Sequence, residues 1–220
     1  MNRVIVDSSE GVTLVGGGPV SGAALARAVQ FAPRIVAADG GADRLLRLGT
    51  RPEAVIGDMD SISAAARAAL AARLFPISEQ ETTDFDKALR SVAAPFVLGL
   101  GFSGARLDHG LAVLNALTRH PDRRCLILSA RDVTFLCPPE VTLTLPVGSR
   151  LSLFPMGQVS GDSAGLRWPL QGHHFAPDGM IGTSNEVSGP RVHLRFSAAK
   201  MLVILPGAAL PAVLSGLGLR

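Results

Sequence analysis

The sequence predicts two regions of different class. The N-terminal part reads as an α/β domain with a mostly parallel sheet and helices on both faces, and the C-terminal part as a small all-β, sandwich-like domain. Three observations carry this. From Val12 to about Val133, short apolar runs alternate with segments of helical character. Several of those runs end in a glycine-rich or acidic turn, as strands feeding the ligand crevice of an open parallel sheet do. After Pro138-Pro139 the runs become short and alternating, broken by Pro, Gly and Ser, with none of helical length before the final residues. The expected domains are therefore residues 1–137 and 138–220.

In order along the chain, Val4-Ile5-Val6 or Val12-Thr13-Leu14-Val15 supplies the first strand and leads to Gly16-Gly17-Gly18. A helix is expected from Ser21 to Phe31. Ile35-Val36-Ala37-Ala38 then runs into Asp39-Gly40-Gly41-Ala42-Asp43 and a helix over Ala42 to Leu48, closed by Gly49 as a C-cap glycine. Ala54-Val55-Ile56 leads into Gly57-Asp58-Met59-Asp60 and an Ala-rich helix from Ser61 or Ser63 to Leu74. Thr83 with Asp86 three residues on fits a capping box, which opens a helix to Ala93. Phe96-Val97-Leu98 leads into the stretch Gly99 to His109, and a helix follows to Arg119. In the β region the strands are Val141 to Leu145, Arg150 to Phe154, Val192 to Phe196 and Met201 to Leu205, with Gly182 to Glu186 as a polar loop.

With 220 residues, 47% of them hydrophobic, the chain can fill real cores, which excludes a disordered protein. Net charge is only +3 and the basic residues are scattered singly, with Arg123-Arg124 the longest run, so there is no nucleic-acid footprint. Of the 21 basic residues only Lys87 and Lys200 are lysines, which makes Lys87, inside a motif, conspicuous. Ten of the 18 acidic residues fall between Asp39 and Asp108, and an acidic strand-end neighbourhood suits a divalent metal better than a bare anion. Cys125 and Cys137 sit in apolar stretches without C-x-x-C or His spacing and read as buried reduced thiols. The N-terminal Met1-Asn2-Arg3-Val4-Ile5-Val6 meets Asp7 too soon for a signal-peptide core, and a cytoplasmic protein is expected.

Three constellations carry chemistry. Asp58 and Asp60 are two apart, so an extended backbone would turn both carboxylates to one side, close enough to share a cation; taken alone, D-x-D-S favours a helix-capping turn, and the second cluster shifts the balance. In Thr82-Thr83-Asp84-Phe85-Asp86-Lys87-Ala88, Asp84 and Lys87 share a helix face, as a further metal ligand beside a phosphate-pairing cation or as a plain surface pair. In the run from Gly99 to His109, Gly99, Gly101 and Gly104 bring backbone close to a ligand, a helix start follows, and Arg106 offers a bidentate fork to phosphate oxygens. His109 beside Asp108 reads as a capping residue more readily than as a base. Gly16-Gly17-Gly18 matches neither the dinucleotide fingerprint nor the P-loop, which disfavours a dehydrogenase. The single Trp168, next to Pro169, reads as core or as a flat platform for an aromatic or cationic ring.

In this order the motifs resemble the thiamine pyrophosphokinase family: G-G-G-P at 16 to 19, A-D-G-G-A-D at 38 to 43, G-D-M-D-S at 57 to 61, T-D-F-D-K-A-L at 83 to 89, G-A-R-L-D-H at 104 to 109, G-L-R-W-P-L at 165 to 170 and T-S-N-E at 183 to 186. The ordered set spans nearly the whole chain and is far more specific than any one member. The resemblance implies a Mg²⁺-dependent transfer of pyrophosphate from ATP to the thiamine hydroxyl, leaving AMP. It implies Asp58, Asp60 and Asp84 as metal ligands, Lys87, Arg106 and Asp108 in the catalytic set, and Asp39, Gly40, Gly41, Gly104, Arg106 and Asp108 on the ATP side. Trp168, Ser184 and Asn185 would contact thiamine from the partner subunit of a homodimer with shared sites. Two positions depart from the family pattern: Gly104-Ala105 replaces a glycine pair, and Val113 stands where many relatives carry Asn, with Asn115 two residues later. The fold also admits a nucleotide-sensing module without turnover and a metal-dependent phosphohydrolase.

Overall fold

Each apolar run that ends in a turn does form a strand, and each lies in the first of two compact units. The computed structural model describes Val4–Gly104 and Arg106–Leu219. Met1-Asn2-Arg3 and Ala105, on which parts of the N-terminal and G-A-R-L-D-H expectations fall, lie outside these residues. The first unit extends to Ser129 and the second begins at Ala130. That division comes before the Pro138-Pro139 break, because the strand Asp132–Leu136 pairs with Met201–Pro206 of the second unit.

The first unit contains β1 (Val6–Asp7), β2 (Val12–Val15), α1 (Gly22–Val29), β3 (Arg34–Ala38), α2 (Gly41–Arg47), β4 (Ala54–Gly57), α3 (Ala64–Ala69), β5 (Leu74–Pro76), α4 (Asp84–Ser91), β6 (Val92–Ala93), β7 (Val97–Leu100), α5 (Leu107–Arg119) and β8 (Cys125–Leu128). Strands lie in the order β8-β7-β2-β3-β4-β5, every pair parallel. β2, β4, β7 and β8 are buried along their whole length, as expected of parallel strands covered on both faces. Helix starts follow their side chains: Ser21, Ser63 and Thr83 each accept a hydrogen bond from the backbone N–H three residues on. The chain steps outward from β2 through β3 and β4 to β5, then crosses back to β7 and β8 on the other side of β2. The order therefore reverses between β2 and β7, and ligands of open α/β sheets bind beside the strand ends at such a point.

Four expectations need correction. Both candidate first strands form, but β1 lies outside the main sheet and pairs with β6, so the helix expected to reach Ala93 stops at Ser91. The Ala-rich helix expected to reach Leu74 ends at Ala69, because Leu74–Pro76 is taken as the strand edging β4. Thr83 caps α4, yet Asp86 does not close the box: its carboxylate is held by Arg119 and His120 at the end of α5. The polar loop expected at Gly182 to Glu186 is a strand. It edges its sheet and is partly exposed, so it needs no apolar alternation.

The second unit contains β9 (Asp132–Leu136), β10 (Glu140–Thr144), β11 (Arg150–Pro155), β12 (Val159–Ala164), β13 (His173–Phe175), β14 (Gly182–Glu186), β15 (Arg191–Phe196), β16 (Met201–Pro206) and α6 (Leu210–Gly216). In one sheet β14, β11, β16 and β9 lie side by side, and in the other β10, β15, β12 and β13, all antiparallel. β10 and β15 alternate buried with exposed residues, each giving one face to the core. Both cysteines are free and buried, and burial pushes the Cys137 thiol up to about 12, so it stays protonated.

Candidate active site

The strand ends of the first unit open into a cleft of about 640 Å³, within the range of small-molecule sites. Its lining includes Gly16, Gly17 and Gly18 after β2, Asp39 and Gly40 after β3, Asp84 at the start of α4, Gly101 and Phe102 after β7, and Arg106. Two glycines make the packing behind it possible. A Cβ on Gly41 would lie 1.9 Å from the Val15 carbonyl oxygen, and one on Gly57 would lie 2.9 Å from both the Asp39 Cβ and an Asp84 oxygen.

At the mouth of β3 and β4, carboxylates converge. One oxygen each from Asp39, Asp58 and Asp60 lie within 4.8 Å of one another. Asp58 and Asp60 reach this arrangement through a turn, not the extended backbone expected: Met59 has φ +69° and the Asp60 N–H donates to Asp58 Oδ1 at 3.3 Å. Asp39 sits at φ +38° and is only 2% exposed. Its Oδ2 accepts the Ser61 N–H at 2.9 Å, whereas its buried Oδ1 has no hydrogen-bond partner among the described residues. Burial, reinforced by the charges of Asp84 and Asp60 and opposed by Ser61, pushes the Asp39 carboxyl up to about 6.

Asp84 joins from the α4 side. Its Oδ1 accepts the Asp58 N–H at 3.2 Å and the Lys87 ammonium at 3.3 Å, and Lys87 Nζ also lies 3.0 Å from Asp58 Oδ2. Lys87 is 1% exposed, so the shared helix face is buried and not a surface pair. Burial opposes its charge, but the two carboxylates outweigh that and hold its pKa above the usual lysine value. Asp58 is pushed up by burial and pulled down more strongly by Lys87 and the Asp60 N–H, leaving its carboxyl below the ordinary range.

The sequence-derived metal set was Asp58, Asp60 and Asp84; in the structure Asp39, expected on the ATP side, stands in the triad with Asp58 and Asp60, while Asp84 is tied to Asp58 and Lys87. Arg106 lies on the cleft wall, exposed, and forms a two-point ion pair with Asp108 through Nε at 3.1 Å and Nη2 at 2.5 Å. That pairing lowers the Asp108 carboxyl. His109 is an exposed first-turn residue on the cleft, and Val113 lines it as well. Gly40 lines the cleft, whereas Gly41 serves the packing of α2 on β2.

Two supports escaped sequence reasoning. Asp43 accepts both the N–H and the hydroxyl of Ser63, tying α2 to the cap of α3. Glu79 accepts the Thr82 hydroxyl, the N–H groups of Glu81 and Thr82, and an Arg90 N–H, folding the loop that delivers Asp84. The i, i+3 spacing of Glu79 and Thr82 was the available signal.

In the second unit Trp168 is 55% exposed, so it is not a core residue. The Arg167 guanidinium lies 5.1 Å from its ring centroid. Ser184 has φ +61° and donates its N–H to the Ser152 hydroxyl at 3.0 Å; Asn185 is buried, its amide spent on the backbone of Trp168.

Comparison with known proteins supplies the deciding observation. Residues 25–128 match the model of the thiamin pyrophosphokinase catalytic domain, and residues 140–201 that of the thiamin pyrophosphokinase vitamin B1 binding domain. Thiamine pyrophosphokinase 1 of Oryza sativa subsp. japonica is 30% identical over 210 residues, covering 76% of this chain and 80% of the rice protein. The chain belongs to the thiamine pyrophosphokinase family. Thiamine pyrophosphokinase 1 of Arabidopsis thaliana is 29% identical over 190 residues, 70% of this chain and 71% of that protein. The fold agrees: the thiamin pyrophosphokinase structure from Candida albicans superposes with a TM-score of 0.76 at 17% identity, covering 94% of this chain and 93% of that one. The two matched domains of the family fall in the two compact units, the carboxylate cleft in the first and Trp168 in the second.

Proposed function

We propose that this protein transfers the pyrophosphoryl group of ATP to the hydroxyl of thiamine, yielding thiamine diphosphate and AMP. One observation carries the reading: in a member of this family, a buried Asp39 oxygen with no hydrogen-bond partner among the described residues stands beside Asp58 and Asp60 at the ends of β3 and β4 of a parallel sheet. An ionised oxygen without a donor is costly in a protein interior, and a hard divalent cation with oxygen ligands satisfies it. Asp39, Asp58 and Asp60 would hold Mg²⁺, with Asp84 adjacent. Bound there, the ion supplies neutralisation of the phosphate charge during transfer.

The chain's own groups do the rest. Lys87 offsets the negative charge of Asp58 and Asp84, holds both in place and favours the ionised form of Asp58. Arg106 already holds a carboxylate in its two-point fork, and the same geometry accepts phosphate oxygens. The glycine turn at 16 to 18 lets phosphate approach the backbone. The thiamine hydroxyl oxygen bonds to the β-phosphorus, the bond from that phosphorus to the α,β-bridging oxygen breaks, AMP departs with the bridging oxygen and the hydroxyl proton is released to solvent.

The reading includes a homodimer in which Trp168 and Ser184 of one subunit contact thiamine held at the cleft of the other. Exposed apolar side chains on both units support it: Leu107 (80%) and Leu111 (57%) one turn apart on α5, and Trp168 (55%), Met180 (48%) and Ile181 (41%) in the β unit. No helix among the described residues is long and apolar enough to cross a membrane, and the free buried thiols suit the reducing, ATP-rich cytoplasm.

The test is AMP release from ATP and Mg²⁺ with and without thiamine. AMP formed only with thiamine supports the transfer. Inorganic phosphate released without an acceptor supports a phosphohydrolase instead, and ATP binding with no turnover supports a sensing module.

A further inference from the structure

We propose that Asn185 acts on Trp168 and not on the ligand, as the positioning residue that fixes the indole in its presented orientation. The proposal rests on the reading of Trp168 as the ring-binding surface.

A large aromatic side chain left half in water has little packing to hold it still, so its order must come from its backbone. Trp168 precedes Pro169 and lies outside any strand. Upstream, its segment runs beside the end of β14: Leu166 forms an isolated bridge with Val187, and the Arg167 N–H donates to the Glu186 carbonyl at 2.8 Å. At Trp168 the ladder stops and a side chain replaces it. Asn185 Oδ1 accepts the Trp168 N–H at 3.2 Å, and Asn185 Nδ2 donates to the Trp168 carbonyl at 2.7 Å. Only a carboxamide offers a donor and an acceptor at this fixed separation, so one residue satisfies both backbone groups of the tryptophan.

The same amide has little left for a ligand. Its oxygen takes a second hydrogen bond, from the Glu186 N–H at 2.8 Å, which fills both lone pairs, and Asn185 is 7% exposed. A second brace acts on the ring: Arg167 lies against the indole while its Nη1 reaches Glu186 Oε1 at 3.4 Å. One face of the indole is thereby occupied, and the ligand ring is left the other.

Trp168 is the only tryptophan, so intrinsic fluorescence reports this ring alone. In the ligand-free full-length protein, Asn185→Ala should lower Trp168 anisotropy and raise its acrylamide quenching. KM for thiamine should rise about 2- to 12-fold, the factor for ordering one freed side chain, with KM for ATP unchanged. Should Ala fail to fold, Asn185→Ser, which keeps one hydroxyl partner, is read the same way. Unchanged anisotropy and quenching overturn the proposal, whether KM for thiamine rises, which would make Asn185 a direct contact, or stays put. If saturating thiamine leaves wild-type Trp168 emission unaltered, the ring-surface reading fails, and the ligand-free anisotropy still decides what Asn185 does to Trp168.

Discussion

The two units solve opposite problems with the same backbone chemistry. In the α/β unit the candidate groups are charged, and strand ends crowd several carboxylates together beside a buried ammonium. In the β unit the candidate surface is an uncharged ring left in solvent and held by an amide that grips its main chain. Phosphate chemistry needs charge placed in advance, since reorganising charges during the reaction is the cost that catalysis avoids. Ring binding needs an open face and a partner to close over it. Variants that damage one unit should therefore leave the other's substrate nearly untouched.

The largest effect should come from the charges. Asp58→Asn or Asp60→Asn removes an anion from the carboxylate cluster around Asp39 while keeping shape, and turnover should fall by ~10²-fold or more. Circular dichroism and the thermal midpoint should stay near wild type for the exposed Asp60, because nothing in the core depends on its charge. Near-normal turnover at saturating Mg²⁺ in both variants would take these residues out of catalysis and dissolve the contrast between the units.

How much of this was legible depended on whether a residue's role was local. Parallel strands buried on both faces read as plain apolar runs, so β2, β3, β4 and β7 were visible, and the turns after them located Asp39, Asp58 and Arg106. Lys87 was visible as a partner for Asp84, but its burial was not. An i, i+3 pair on a first helical turn is ordinarily wet, and only the end of β4, with Asp58, closes over this one. The place of Asp39 in the triad depends on a positive φ and on Gly57 letting it approach, which are tertiary facts. β14 stayed hidden because a polar, partly exposed edge strand carries no apolar period, and with it went the meaning of Asn185.

A middle-sized effect is expected at Arg106. Lysine keeps the charge but offers no planar fork, so Arg106→Lys should lose about one charged hydrogen bond, about 1.5 kcal/mol or roughly tenfold in KM for ATP, with KM for thiamine little changed. The Asp108 pairing keeps the loss modest, since lysine also weakens the carboxylate contact that ATP must displace. Steady-state kinetics with each substrate varied in turn checks it; an unchanged ATP response would leave Arg106 a surface residue.

Trp168→Ala tests the other side. Loss of a stacking surface should weaken thiamine binding by about 0.5 to 1.5 kcal/mol, with ATP binding intact. If the partner's β unit completes each site, mixing Asp58→Asn with Trp168→Ala subunits should restore part of the activity, because each mixed dimer holds one site free of both lesions. Proven subunit exchange without rescue would confine each site to one chain.

The smallest effect is the pH dependence of Asp39. Its carboxyl is raised to about 6 in the folded protein, so the native state binds that proton more tightly than the unfolded chain does. Its contribution favours folding below the unfolded carboxylate range near pH 4 and is lost as pH climbs through about 6. With chelator present, the wild-type thermal midpoint should therefore fall relative to Asp39→Asn over that window. Asp58, Glu79 and Asp108 carry lowered pKa values and push the other way, gaining stability as pH rises, but they are common to both proteins and cancel in the difference. The cleft admits water, which screens the effect and keeps it modest. Mg²⁺ should reverse the trend, because it binds the carboxylate form and competes with the proton, so its stabilisation should be larger at pH 7 than at pH 5 in wild type and smaller in Asp39→Asn. Equal Mg²⁺ stabilisation in the two proteins would place the metal without Asp39 and return the triad to Asp58, Asp60 and Asp84.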